Sequence, residues 1–359
     1  MARSRAIHRR DFLRTSALVG GAVVIGGPTL LAACGDDDNT PESTGTTGDG
    51  AAKDFGKLSI QLSWVKNAEF AGSYIADKNG YYETAGFSSV DLLAGGPGVA
   101  AEPIVLEDKA LFTYTFSEPF AGAVGEGGDL KCIGALYQQN PFCIMSLAEN
   151  PINTPADMIG KTIGVQAVNK PIWDALLRIN EIDPGDLTEI PAEFDPAPVT
   201  TGEADGWFSF IINEPIDLEL QGFEPVIMAL SDFGFNLHQQ ILVVKGDTIT
   251  NDRDKLVAAI SATLKGWQEN EKDAAVGAAL AVDEYGKDLG LDLEKETKEN
   301  EAQIKLMQND VTAEKGIGYM SDEAIAENVE LLTSLDFDVT ADLYTMEILD
   351  EVYAGGITL

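Results

Sequence analysis

Two stretches decide how this chain folds: FTYTFSEPFAGAVGEGGDLKCIGAL, residues 112–136, and GWFSFIINEPIDLELQGFEPVIMAL, residues 206–230. Each runs from an aromatic strand pattern through Ser or Asn, Glu and Pro into a helical pattern, then through glycine into a second apolar strand. Proline is tolerated in the first turn of a helix because its missing N–H is not needed there. Ser or Asn can accept from the free N–H groups of that turn, and an acid suits its positive end. Both stretches are therefore expected to be strand–helix–strand units, with Ser117 and Asn213 as caps and Glu118 as a capping acid.

Working outward, strands are expected at 57–64, 88–94, 110–116 and 130–136, with a helix over 69–84 that ends at Gly86. The same order recurs with strands at 161–166, 187–192, 206–212 and 225–230 and a helix over 170–181. Short apolar strands alternating with amphipathic helices indicate layered α/β architecture. In such sheets ligands sit at the carboxyl ends of strands, against helix N-termini. Two lobes of one plan, turned toward each other, would enclose a ligand between them.

The N-terminal region is of another kind. Arg3, Arg5, Arg9, Arg10 and Arg14 precede an apolar stretch, 17–33, which is interrupted by glycines and Pro28 and is short for a membrane span. His8-Arg9-Arg10-Asp11-Phe12-Leu13-Arg14 resembles the twin-arginine export signal, and Leu31-Ala32-Ala33-Cys34 resembles the bacterial lipobox, which implies that Cys34 is lipidated. Residues 1–33 are thus read as a twin-arginine lipoprotein signal peptide. Residues 34–53 are read as a lipidated cysteine followed by a disordered tether rich in Asp, Thr, Gly and Ser. The expected location is extracytoplasmic, with the chain anchored to the cell membrane by an N-terminal lipid and by nothing else.

The net charge of −35 argues against nucleic acid or an anionic membrane surface as a partner. Beyond the signal only Arg178 and Arg253 remain as arginines, so bidentate clamps for sulfonate, phosphate or carboxylate ligands are poorly supplied. Three cysteines and two histidines, one of them in the signal, offer little for a metal site or a nucleophilic triad. Cys132 and Cys143 are expected to be unpaired. No metal, cofactor or catalytic residue is expected.

Further motifs resemble one family, the solute-binding proteins of ABC importers with the type II periplasmic-binding fold. The likeness is to the branch that includes binders of thiamine pyrimidine precursors, riboflavin, nitrate and sulfonate. It rests on Trp64-Val65-Lys66-Asn67, on Ala76-Asp77-Lys78-Asn79-Gly80-Tyr81-Tyr82, on Gly95-Gly96-Pro97, and on the run from Asn153 to Val165. The resemblance implies a two-lobed fold with lobe 1 at 54–138, lobe 2 at 139–242 and a return to lobe 1 with C-terminal helices at 243–359. The chain would cross between lobes near 138–142 and again near 239–243, making a hinge.

On this reading Trp64, Tyr114, Trp173 and Trp207, with Phe116, Phe208 and Phe210, offer flat surfaces to a planar ligand. Trp267 reads as core. Asn67, Glu69, Ser117, Gln138, Gln166, Asn169, Asn213 and Glu214 offer amides, a hydroxyl and carboxylates, and Gly96 and Pro97 complete the candidate set. Glu294, Lys295, Lys298 and Glu299 are read as a solvated helix face. The function implied is that of a monomeric, non-enzymatic importer subunit. It would capture a flat nitrogen heterocycle, either a thiamine pyrimidine precursor or a riboflavin-like compound, and pass it to permease and ATPase subunits. The alternatives are a sulfonate- or nitrate-type anion binder of the same fold and an enzyme resembling the thiamine pyrimidine synthase. That enzyme's cysteine cluster and active-site histidine have no match here.

Overall fold

The computed structural model describes residues 53–356. The expectations for the signal, Cys34 and most of the tether lie outside the described residues. In chain order the strands are β1 Gly56–Gln61, β2 Phe87–Leu93, β3 Phe112–Thr115, β4 Leu130–Tyr137, β5 Phe142–Leu147, β6 Thr162–Val165, β7 Thr188–Pro191, β8 Gly206–Phe210, β9 Pro225–Ala229 and β10 Gln239–Lys245. They form two sheets, ordered β2-β1-β3-β10-β4 and β7-β6-β8-β5-β9. The two orders coincide when β6, β7, β8 and β9 replace β1, β2, β3 and β4, and β5 replaces β10. The architecture is α/β, a two-lobed type II periplasmic-binding-protein fold.

In each sheet one strand runs against its neighbours, and it is the strand the chain supplies on arriving from the other lobe. β10 is antiparallel to β3 and β4, and β5 is antiparallel to β8 and β9, whereas β1 pairs in parallel with β2 and β3, and β6 with β7 and β8. A direct step from β4 into β5 crosses between sheets through residues 138–141, and the return runs from Ala229 to Gln239. The segment expected as the second crossing, 239–243, is instead the start of β10: Gln239 already pairs with Tyr137 of β4. A continuous apolar strand pattern in Ile241–Val244 favours burial within a sheet over an exposed connection.

The repeated stretches form β3, helix Ser117–Gly125 and β4, and β8, helix Glu214–Leu220 and β9. The expected caps do different work. Ser117 Oγ donates to His238 O at 2.7 Å, and neither Ser117 nor Asn213 makes a side-chain cap bond. Glu118 is fully buried and accepts from Gln239 Nε2 at 3.1 Å, so it ties helix Ser117–Gly125 to the returning strand. The first turn of this helix is thus used to hold the hinge.

C-terminal helices pack back onto the first sheet's layer, chiefly Arg253–Asn270 against Ala71–Lys78, with Trp267 wholly buried between them. The lobes also meet directly. Helix Ser117–Gly125 touches helix Lys170–Ile179, and helix Glu214–Leu220 touches helix Leu293–Leu306. Val168 N donates to Pro97 O at 2.9 Å. Cys132 in β4 and Cys143 in β5 are free and buried, one in each sheet.

Candidate functional site

Where β3, β5 and β8 converge, aromatic side chains from both lobes build a floor. Phe116 follows β3, Phe142 opens β5, and Phe208 and Phe210 lie on one face of β8, two residues apart as strand alternation requires. Ring centroids of Phe142 and Phe210 are 4.6 Å apart, those of Phe116 and Phe142 5.1 Å, and those of Phe116 and Phe210 5.7 Å, all edge to face. Above them lies a narrow cavity bounded by Trp64, Glu69, Phe116, Asn169, Phe208, Ser209, Phe210, Asn213 and Glu214. Its volume is about 20 Å³, room for a water molecule. A wider cleft of about 480 Å³ shares Trp64, Asn213 and Glu214 with it and continues between Phe194–Ala197 of the second lobe and Leu289–Glu296.

Gly95 fixes the position of Trp64. Its N–H donates to Trp64 O at 2.9 Å, and a Cβ there would stand 2.5 Å from Leu62 O and 2.7 Å from Trp64 N. Only glycine permits this approach, which holds the tryptophan at the cavity mouth.

A closed circuit of hydrogen bonds spans the lobes beside the aromatic floor. Asn67 Nδ2 donates to Glu69 Oε1 and to Glu299 Oε1, both at 2.9 Å. Lys295 Nζ donates to Glu299 Oε2 at 2.6 Å and to Asn213 Oδ1. Asn213 Nδ2 returns to Glu69 Oε1 at 3.3 Å. Four of the five members belong to the first lobe and its C-terminal helices; Asn213 alone comes from the second. Beneath Glu69 lies Gln240, a non-glycine residue at φ 51°, whose Nε2 reaches Glu69 Oε2 at 3.5 Å while its Oε1 accepts from Ser63 Oγ at 2.8 Å. Such a backbone costs on the order of 1 kcal/mol and persists only where surrounding contacts enforce it.

The site is rich in buried carboxylates. Glu69, Glu214, Glu296 and Glu299 are all buried, and among the described residues Lys295 is the only cation bonded to any of them, through Glu296 and Glu299. Burial pushes Glu69 up to about 7; its bond from Asn67 opposes the shift and the charge of Glu214 adds to it. Burial likewise pushes Glu214 up to about 7, against the Phe210 N–H that it accepts at 3.0 Å. Glu299 is raised well above the ordinary carboxylate range by burial despite Lys295. For Lys295 burial works against the charge, but Glu299 and Glu296 outweigh it and raise the pKa. The arrangement presents to whatever enters carboxyl groups that are neutral below about pH 7 and negative above it.

The sequence candidates divide into three groups. Trp64, Glu69, Asn169, Asn213 and Glu214 meet around the cavity, and Asn67 lines the adjoining cleft. Gly96 is buried and Pro97 joins the lobes through Val168. The remainder lie elsewhere. Tyr114 is buried in the first lobe's core, its hydroxyl 2.7 Å from Ser73 Oγ, because it occupies a mid-strand position while the cavity begins two residues later. Trp207 points to the opposite face of β8 from Phe208, among Met145, Val199 and Leu218, with its ring over Gly164 where a Cβ would stand 2.2 Å away. Trp173 is core, packed edge to face on Phe208 from behind. Ser117 and Gln138 belong to the hinge; Gln138 bonds to Ala135 O and Asn309. Gln166 supports Asn169 from outside the cavity.

Sequence reasoning missed Lys295, Glu296 and Glu299. Lys295 and Glu299 were expected on a solvated face and Glu296 was not singled out, but all three are turned inward: Glu296 and Glu299 have no exposed side-chain surface and Lys295 retains 11%. Helix Leu293–Leu306 buries Glu296, Glu299, Asn300 and Gln303, a polar stripe at helical spacing. The one available signal was that this helix has no apolar stripe with which to pack.

Comparison with known proteins places these features. A family model described as NMT1/THI5 like matches residues 67–273. A riboflavin-binding protein, RibY, from Chloroflexus aurantiacus is 24% identical over 277 residues, which is 73% of this chain and 76% of that protein. A formylaminopyrimidine-binding protein from Halalkalibacterium halodurans is 25% identical over 238 residues, 62% of this chain and 69% of that one. A solved structure from Bordetella bronchiseptica RB50 superposes with a TM-score of 0.68 at 17% identity, covering 83% of this chain and 97% of its own.

Proposed function

The chain belongs to the NMT1/THI5-like family, and on that premise we propose that it is the extracytoplasmic solute-binding component of an ABC importer, capturing a flat nitrogen heterocycle between its lobes. The observation that carries this reading is the pairing, in one interlobe cavity, of an aromatic floor with two buried carboxylates, Glu69 from the first lobe and Glu214 from the second. Rings give a planar ligand its contact area, and carboxylates orient its amino groups and protonated ring nitrogens.

The acidic lining opposes an anion. A sulfonate or nitrate would add charge beside buried carboxylates with one lysine already engaged by them. Enzymatic chemistry of the pyrimidine-synthase kind has little support either, since among the described residues neither cysteine nor histidine borders the cavity. Glu69, Asn169, Asn213, Glu214 and Trp64 are the proposed ligand contacts, with Lys295 and Glu299 holding them. A lipid on Cys34 would keep the protein at the membrane, handing its solute to permease and ATPase subunits.

The test is thermal denaturation with a panel of aminopyrimidines, riboflavin, an alkanesulfonate and nitrate. A heterocycle is expected to raise the melting temperature in proportion to ln(1 + [L]/Kd). Stabilisation by the alkanesulfonate or nitrate alone would assign the protein to the anion binders. For the anchor, intact-mass spectrometry of membrane-extracted protein should show two or more acyl chains on an N-terminal Cys34; unmodified Cys34 rules the anchor out.

A further inference from the structure

Asn169 stands at the N-cap position of helix Lys170–Ile179 yet caps nothing. An asparagine there ordinarily turns its oxygen onto the N–H of the second or third helical residue, which is worth about 1 kcal/mol. In this helix the second residue is Pro171 and has no N–H, so half of that role is already removed. The amide is turned the other way: Asn169 Nδ2 donates to Gln166 Oε1 at 3.0 Å, and Gln166 Nε2 donates to Phe208 O at 3.0 Å. Asn169 Oδ1 is left buried and, among the described residues, without a partner, in a residue that is 93% buried and borders the cavity.

The other polar side chains at the cavity show the same bias. Ser209 Oγ donates to Trp207 O, and Glu69 and Glu214 are acceptors when ionised, whereas Asn213 has both ends engaged, its Nδ2 by Glu69 and its Oδ1 by Lys295, and shows the cavity neither. An amide whose nitrogen is held by a chain of two hydrogen bonds is not free to flip, so the polarity it shows the cavity is set by the neighbour. A buried acceptor left unsatisfied costs about 1–3 kcal/mol, which a ligand N–H would recover and a ligand carbonyl would worsen.

Resting on the reading of the site as a heterocycle pocket, we infer that Gln166 is a positioning residue that locks Asn169 with its oxygen toward the cavity, and that Asn169 thereby selects amino-bearing heterocycles over their oxo counterparts. The relay Phe208 O, Gln166, Asn169 is built wholly within the second lobe, so selection begins on one half of the site before the lobes meet.

Calorimetric titration of the full chain with 4-amino-2-methylpyrimidine and with 4-hydroxy-2-methylpyrimidine tests this. A preference of roughly tenfold or more for the amino compound is expected, since one lost and one opposed hydrogen bond together exceed about 1.4 kcal/mol. Gln166→Leu removes both bonds of the relay and should bring the ratio toward one without abolishing binding. Gln166→Glu, whose protonated acid can reproduce both bonds, should restore it. Melting temperatures of the two variants check that each is folded; should the leucine variant not fold, Asn169→Leu, which removes the oxygen itself, is read in the same way. Equal affinity of the wild-type chain for both compounds, or an unchanged ratio in Gln166→Leu, overturns the assignment while leaving the pocket's function standing. Binding of neither compound overturns this assignment, and if riboflavin also fails to bind, the heterocycle reading falls with it.

Discussion

Asn213 Nδ2 lies 3.3 Å from Glu69 Oε1, and this hydrogen bond joins the two lobes at the edge of the candidate site. Because Asn213 also accepts from Lys295, a single amide from the second lobe completes a circuit whose other members are all supplied by the first. Parting the lobes breaks both of its bonds at once.

Asn213→Ala should therefore shift the ligand-free chain toward an open arrangement. Spin labels on cysteines introduced at exposed Ser88 and Glu203, in a Cys34→Ser background, report the interlobe distance, since Cys132 and Cys143 are buried. Loss of a buried pair of hydrogen bonds of about 1 kcal/mol each predicts a five- to thirtyfold fall in the ratio of closed to open molecules. An unchanged distance distribution would show that the circuit does not hold the lobes.

Closure should weaken as pH rises. Glu69 and Glu214 are each raised from 4.5 to about 7 where the lobes meet. A carboxyl with a raised pKa stays protonated in the closed arrangement after it has ionised in the open one. The closed form is then lost progressively between about pH 4.5 and pH 7 and changes little above that. The same labelled chain titrated from pH 4.5 to 8 should open over this window, and Glu214→Gln should shrink the effect. A cationic ligand should reverse it by supplying the missing charge; closure that increased with pH would contradict the assignment.

Lys295→Met should destabilise the chain more at pH 8 than at pH 5. It removes from Glu296 and Glu299 the one cation that bonds them among the described residues, and stranding buried carboxylates costs about 3–5 kcal/mol. At lower pH Glu299, already raised by burial, can neutralise itself. Urea denaturation at the two pH values measures the difference, and equal losses at both would mean that Lys295 contributes packing alone.

Gly95→Ala should weaken ligand binding through Trp64. The new methyl group must displace the backbone at Leu62–Trp64, at a cost of about 1–3 kcal/mol. Tryptophan fluorescence and calorimetry read the shift and the affinity; a variant with unaltered affinity would remove Trp64 from the site.

The order of elements and the doubled strand–helix–strand plan were legible in the chain itself. Strand period, glycine stops and the Glu-Pro helix openings at Glu118-Pro119 and Glu214-Pro215 are local signals, settled by backbone sterics and by neighbours a few residues away. Asn169, Asn213 and Glu214 could be named for the same reason, since strand ends and helix starts at a sheet's edge face the space between lobes. The aromatic residues were legible as a class but not one by one. A strand presents Trp207 to one side and Phe208 to the other, and nothing local says which side the second lobe turns toward the first.

Lys295, Glu296 and Glu299 left only one local trace, the missing apolar stripe of their helix. A charged helix is solvated unless something covers it, and what covers this one is remote in the chain: Glu299 meets Asn67 across 232 residues and Lys295 meets Asn213 across 82. By itself the sequence determined which segments fold and in what order, because those preferences are short-range. The tertiary structure alone decided which charges are stripped of water and brought together, because burial depends on contacts between segments that no local pattern records.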